Sequence, residues 1–227
     1  MPKAAVIREM GGPDVFRFED IEVSDPEAGE VRLKHTAIGV NFADTYHRGG
    51  VSHPWPVGEP PVILGFEATA EILELGSGVE DFDVGDRVVY GLPPLGAYSQ
   101  ERNYPVSTLV KIPEGIDAVT LAGIFMKGLT AYYLLHKTYV VKPGDWVLIH
   151  AAAGGMGNLL VPWAKHLGAN VIGTVGSEEK AKIAKELGSA HVNSYLNSIT
   201  RQMGASAIPE NDPRLCRAVN GTSYSRQ

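Results

Sequence analysis

Apolar and polar residues follow two different rhythms along this chain. Residues 1–124 contain short apolar-rich runs separated by polar turns: "KAAVI", "EVRLKHTAIGV", "ATAEILEL" and "DRVVYG". Runs of this length, rich in Val, Ile and Thr, predict strands buried on one face. In "EVRLKHTAIGV" the alternation sets Val31, Leu33, His35 and Ala37 on one side. The separators "MGGPD", "DPEAGE" and "GSGVEDFDVGD" carry the Gly, Pro and Asp that tight turns require. Many short strands at irregular spacing, with no internal repeat, predict a small barrel-like β domain.

From Asp117 the period lengthens. "AVTLAGIFMKGLTAYYLLHKTY" spaces its apolar residues as one or two helices do. Then come a strand "DWVLIHA", a glycine-rich turn, a helix "NLLVPWAKHLG", a strand "NVIGTV", a helix "SEEKAKIAKELG" and a short strand "AHVNSY". That order predicts half of a doubly wound parallel sheet, so the fold class is α/β plus β. Gly168 and Gly188 fit the positions just past the two helix ends. Pro162 reads as lying early in its helix, where a missing N–H costs least. After Tyr195 the rhythm stops. Residues 196–227 carry four Arg against two acids, lack a sustained period, and are expected to form a poorly ordered tail.

Composition narrows the function classes. An apolar fraction of 44% and a charged fraction of 20% are ordinary for a globular domain. A net charge of -6 argues against a nucleic-acid or membrane-surface binder, which needs a basic patch. The single cysteine, Cys216, cannot build a disulfide framework or a multi-thiolate metal site, and fits a cytoplasmic, reducing home. "MPKAAVIREMGG" lacks the apolar core of a secretory signal. No run reads as the ~20 apolar residues of a membrane span.

The chemistry concentrates in "HAAAGGMGN". Aligned to G-x-G-x-x-G, Ala152 takes the first place, Gly154 the second and Gly157 the third, with Gly155 extra. In such a turn the second glycine lets backbone approach a pyrophosphate and the third lets helix pack on strand. The helix N-terminus adds N–H groups and partial positive charge. The alternative is a tight strand–helix turn without a ligand; the strand–turn–helix setting favours dinucleotide binding. About 20 residues on, an NAD site places an acid at the next strand tip. Here the strand ends in Thr174, Val175, Gly176 and Ser177, with Lys180 following. Ser177 as donor and Lys180 as charge suit a 2′-phosphate, favouring NADPH. Ser177 also reads as the cap of its helix, and both roles are compatible.

"NFADTYHRGG", "GVEDFDVGDRVVY", "GAYSQ", "KGLTAYYLLHKTY", "PGDWVLIHAAAGGMG" and "AKHLGANVIGTVGSEEKAKIAKELG" together resemble the NADPH-dependent quinone oxidoreductases. These are the zeta-crystallin-like, zinc-free branch of the medium-chain dehydrogenase/reductase superfamily. The likeness covers residues 3–195. It implies a GroES-like catalytic domain over 1–124, a partial Rossmann domain over 125–195, and an active-site cleft between them. Residues 196–227 do not match the branch, and the C-terminal part is expected to be missing or replaced. The resemblance implies cofactor contacts from Asn41, Phe42, Asp44, Tyr46, Lys127, Thr130, Tyr133, Gly154, Gly155, Met156, Gly157, Gly176, Ser177, Lys180 and Tyr195. Asn41 and Tyr46 are the catalytic candidates. Asn41 reads as a partner for the nicotinamide ribose or the substrate oxygen, or as a turn residue. Tyr46 reads as a stacking or proton-donating group, or as a half-buried core aromatic. Lys127 reads as a phosphate partner or a surface helix residue.

Zinc enzymes of the superfamily bind metal through two Cys and a Gly-His-Glu. Here Asn41 stands near the first Cys position and "GFE" puts Phe66 where His would ligate, so no metal is expected. His47, His53 and His150 read as structural or surface residues. The implied reaction is NADPH-dependent reduction of a quinone; reduction of enones or enoyl thioesters is the alternative. A third reading is a shortened, non-catalytic member that binds cofactor weakly or not at all. The family is homodimeric, and its interface is expected to be missing from this chain.

Overall fold

The computed structural model describes residues 1–51, 55–194 and 217–218. The chain divides into two compact units, Met1–Met126 and Lys127–Gln227. Tyr195, His53 and nearly all of residues 196–227 lie outside the described residues.

The first unit is built from β1 (Lys3–Ile7), β2 (Phe16–Asp20), β3 (Glu30–Gly39), α1 (Ala43–Arg48), β4 (Val62–Ile63), β5 (Glu67–Leu75), β6 (Arg87–Tyr90), β7 (Glu101–Pro105) and β8 (Val110–Lys111). Two antiparallel sheets result, in the orders β2-β1-β4 and β7-β3-β5-β6-β8. The predicted alternation in β3 is observed: Val31 and Leu33 are fully buried, while Lys34 and Thr36 are exposed. Register shifts at Arg32/Leu33 and His35/Ala37 interrupt the β3–β5 ladder, which increases twist and helps the sheet coil. The core gathers Val31, Leu33, Ala70, Ile72, Tyr90 and Tyr104.

Helix α2 (Ala118–Tyr133) contains the division between the units and continues as a π-helical turn, Leu134–Thr138. Asp117 starts it by accepting a hydrogen bond from the Thr120 N–H at 2.7 Å. The run Ala118–Thr138 spans 21 residues at a mean hydropathy of 1.4, enough by length and composition to cross a membrane. This corrects the expectation that no run approaches the length of a membrane span. Its Ala122, Ala131, Leu134 and Leu135 are buried, while Val119, Ile124, Leu129, Tyr132 and Tyr133 are exposed.

The second unit continues with β9 (Trp146–Ile149), α3 (Gly157–His166), β10 (Asn170–Val175), α4 (Glu178–Leu187), β11 (His191–Ser194) and β12 (Arg217–Ala218). The strands form a parallel sheet in the order β11-β10-β9-β12. Val147, Ile149, Leu160, Val161, Ala164 and Val171 fill the core between sheet and helices. Gly168 and Gly188 end α3 and α4 with φ of +85° and +116°, the left-handed geometry that favours glycine.

One further expectation needs correction. Pro162 is not in the first turn of its helix: α3 starts at Gly157, so the proline stands in the helix interior. There it removes a donor that the i→i−4 ladder would use. Within residues 196–227, the described Arg217 and Ala218 pair in parallel with Val147 and Leu148. Backbone pairing needs no side-chain period, so hydrophobic patterning does not reveal it.

Candidate functional site

In the second unit the glycine-rich turn is tied to the neighbouring strand. The Ala152 N–H donates to the Thr174 carbonyl at 3.0 Å, and the His150 ring nitrogen Nδ1 lies 3.0 Å from Thr174 Oγ1. His150 is therefore a turn anchor. A Cβ at Gly157 would run into the carbonyl group of Ala152, so only glycine lets α3 begin this close to the turn. A Cβ at Gly173 would lie 2.7 Å from the Ala152 Cβ, so this glycine too lets the turn settle onto β10. Ala151 takes φ of 51°, a backbone state that costs a non-glycine residue about 1 kcal/mol. At the start of α3 the Asn158 N–H donates to the Gly154 carbonyl at 2.9 Å and the Leu159 and Leu160 N–H groups donate to the Met156 carbonyl at 3.1 and 2.9 Å, so the turn and the first turn of the helix are knitted together. A helix N-terminus carries partial positive charge. Lys127 borders this turn: its Cε lies 3.3 Å from where a Gly155 Cβ would stand.

Gly176 and Ser177 follow the tip of β10, the strand beside β9 in the parallel sheet. Ser177 caps α4, its hydroxyl oxygen accepting the Lys180 N–H at 3.2 Å. That bond uses an oxygen lone pair and leaves the hydroxyl proton to donate elsewhere. Lys180 is exposed, and Glu178 and Glu179 occupy the first turn with it. The second unit thus brings together Lys127, Gly154, Gly155, Met156, Gly157, Gly176, Ser177 and Lys180 around the C-terminal ends of two adjacent parallel strands. Thr130 and Tyr133 stand on α2, the first half-buried and the second 48% exposed.

The other predicted residues belong to the first unit, around α1. Asn41 and Asp44 clasp the helix start reciprocally. The Asn41 N–H donates to Asp44 Oδ2 at 2.8 Å, and the Asp44 N–H donates to the Asn41 carbonyl at 3.1 Å. Tyr98 donates its hydroxyl to the same Asp44 oxygen at 2.6 Å. Burial, and then this bond, push the Tyr98 phenol above its ordinary range, so it keeps its proton as donor. Asp44 is only 5% exposed, and its carboxylate accepts these two hydrogen bonds within the first unit. Phe42 and Tyr46 are 75% and 45% exposed and meet edge to face at 5.4 Å. Tyr46 is thus an exposed aromatic and not a core one.

Beneath Asn41 lies a residue that sequence reasoning did not nominate. Glu67, at the start of β5, is fully buried. Its Oε2 accepts the Asn41 side-chain Nδ2–H at 2.7 Å, and its Oε1 accepts the Met126 N–H at 2.7 Å. A Cβ at Gly39 would stand 2.7 Å from the Glu67 carboxyl carbon, so glycine there makes room for the acid. The stretch "EATAEIL" carries a second acid, Glu71, at the same strand face, so nothing local singles out Glu67. Two surface hollows of 490 and 780 Å³ also lie on the first unit; neither is lined by Asn41, Phe42 or Tyr46.

Comparison with known proteins places this geometry in a lineage. Residues 27–145 match the alcohol dehydrogenase GroES-like domain family. The chain belongs to that family. A second family, described as zinc-binding dehydrogenase, matches residues 155–209. A 2-haloacrylate reductase from Burkholderia sp is 61% identical over 197 residues, covering 86% of this chain and 59% of the relative. A quinone oxidoreductase from Pseudomonas aeruginosa is 43% identical over 195 residues, again covering 86% and 59%. The crystal structure of Escherichia coli quinone oxidoreductase complexed with NADPH superposes with a TM-score of 0.84 at 40% identity, covering 90% of this chain and 62% of that one. The chain therefore spans about three-fifths of the length of these relatives.

Membership in the GroES-like family, with quinone oxidoreductase relatives, bears out the expected medium-chain dehydrogenase/reductase fold. The zinc named in the second family's description does not fit these residues. Phe66, at the expected histidine position, is buried against Trp55 and His47, with ring centroids at 4.8 and 6.2 Å. Among the described residues no three His, Cys, Asp or Glu side chains cluster as a metal site requires.

Proposed function

We propose that this chain reduces an electron-poor double bond conjugated to a carbonyl or carboxylate, using NADPH. The observation that carries the reading is the glycine-rich turn at Gly154–Gly157 between β9 and α3, where a Cβ at Gly157 would collide with the Ala152 carbonyl group and only glycine lets the helix begin against the turn, the strand–turn–helix arrangement that suits a pyrophosphate. Gly154, Gly155, Met156 and Gly157 offer backbone to the pyrophosphate, and Lys127 supplies a cation beside it. Gly176 admits the adenosine ribose, while Ser177 and Lys180 take the 2′-phosphate. Bound NADPH supplies a hydride. Phe42 and Tyr46 give an apolar wall that keeps water from the acceptor, Tyr46 offers a proton, and Asn41 orients a polar group. Thr130 and Tyr133 complete the contacts from α2.

The acceptor is the finer question. The 61% identity to a 2-haloacrylate reductase favours a small unsaturated acid, and the 43% identity to a quinone oxidoreductase supports quinones as the second reading. NADPH oxidation with 2-chloroacrylate, with a simple enone and with a simple quinone separates them. A titration that leaves NADPH fluorescence unchanged overturns both and leaves a non-catalytic member. Lys180→Glu tests cofactor choice: the preference for NADPH over NADH is expected to collapse, and its survival overturns the 2′-phosphate assignment.

A further inference from the structure

Glu67 stands apart from the residues assigned so far: a fully buried acid that touches the Asn41 side chain. A carboxylate only accepts hydrogen bonds. Two donors converge on this one, the Asn41 Nδ2–H and the Met126 N–H, each at 2.7 Å. The carboxylate therefore dictates which way the Asn41 amide is turned. The nitrogen branch faces Glu67, and the carbonyl Oδ1 is on the branch turned away. The Asn41 backbone is fixed as well, by Asp44 Oδ2 at 2.8 Å. Gly39 adds a second sign of construction, because a side chain there would collide with the Glu67 carboxyl carbon and the Ala122 carbonyl.

We infer that Glu67 is a positioning residue that makes the Asn41 carbonyl oxygen the group presented to a ligand. An oxygen acceptor suits a hydroxyl or amide donor, such as the ribose hydroxyl or the carboxamide of a nicotinamide nucleotide. It does not suit the oxygen of a carbonyl acceptor, which itself needs a donor. The inference deepens the proposed NADPH site and rests on that reading for its ligand. It removes Asn41 from the task of polarising the substrate.

Glu67→Gln tests it in the full chain. The Met126 N–H still demands an acceptor, so the glutamine gives it Oε1 and turns Nε2 toward Asn41. Asn41 must then turn its own oxygen inward and its N–H pair outward. The Asn41 side-chain ¹⁵N–¹H signals, assigned by their loss in Asn41→Ala, should include one strongly downfield proton in the parent. That proton should move upfield in Glu67→Gln, and NADPH should bind about tenfold more weakly by fluorescence titration. The double variant Glu67→Gln/Asn41→Asp again pairs a donor with an acceptor and presents an oxygen, so it should recover most of the lost affinity. It also serves if the single variant folds poorly. A Glu67 that only supports the fold would lower the melting temperature yet leave the Asn41 signals, the NADPH affinity and the rescue unmoved. That result overturns the inference. A parent chain that does not respond to NADPH overturns the nucleotide reading instead, while the Asn41 signals still decide whether Glu67 sets the amide.

Discussion

Two glycines predict opposite outcomes for the same substitution. Gly157→Ala pushes a methyl group into the Ala152 carbonyl, and the backbone cannot move aside without opening the turn. Overpacking of this kind costs about 1–3 kcal/mol; the expected result is a lower denaturation midpoint together with lost NADPH binding. Gly128, in the interior of α2, has open space around a built Cβ. Gly128→Ala should therefore raise stability by roughly 0.5–1 kcal/mol, read from the same denaturant titration. The sequence distinguishes these glycines because G-x-G-x-x-G is a local spacing with a local cause. It does not expose Glu67 in the same way. Glu67 and Thr69 share a face of β5 with Glu71 and Leu73, yet the first two are buried and the last two exposed. The difference is α2, whose Met126 N–H and Ala118 carbonyl meet Glu67 and Thr69. That cover comes from a segment more than forty residues away in the chain, beyond the reach of any strand pattern.

At the scale of elements, the start of α4 carries two jobs on one hydroxyl. Ser177 caps the helix through the Lys180 N–H, and it is proposed to donate to a 2′-phosphate. Substitution separates the two. Ser177→Ala should cost about 1 kcal/mol of stability from the lost cap and also weaken NADPH. Ser177→Asp keeps a cap and adds an anion at the positive end of the helix, so stability should hold. The same anion repels a 2′-phosphate, so the ratio of NADPH to NADH affinity should fall steeply. Equal ratios in Ser177→Asp and the parent would leave Ser177 with the cap alone. The order of strands and helices in the second unit was legible in advance, because parallel strands buried on both faces alternate with amphipathic helices. Pro162 stands in the helix interior whether the helix starts at the expected Asn158 or the observed Gly157, because the hydrophobic period places apolar positions and does not register a missing N–H donor.

At the scale of the molecule, each unit has its own core and its own sensitivity. In the first, His35 lies between the Ser99 carbonyl at 2.6 Å from Nδ1 and the Tyr90 hydroxyl at 2.8 Å from Nε2. Burial, against the pull of the Ser99 carbonyl and with help from the Arg102 charge, lowers its pKa to about 4. The folded ring is therefore neutral at pH values where the unfolded ring, near 6.5, takes a proton. Stability is complete above pH 6.5 and falls as the pH drops toward 4, by up to about 3 kcal/mol. In the second unit, the proposed NADPH cradle should link stability to ligand: about 2.7 kcal/mol at a hundred times Kd. Tryptophan fluorescence can read the units apart, because Trp55 is in the first and Trp146 and Trp163 are in the second. In Trp55→Phe the emission reports the second unit alone. NADPH should raise that transition at pH 7, and acid between pH 6.5 and 4.5 should lower the far-ultraviolet transition of the first unit ahead of it. His35→Gln should remove much of the acid effect and leave the NADPH effect intact. A single transition that responds to acid and NADPH in proportion would instead make the two units one cooperative body, with His35 and the cradle acting on the same equilibrium.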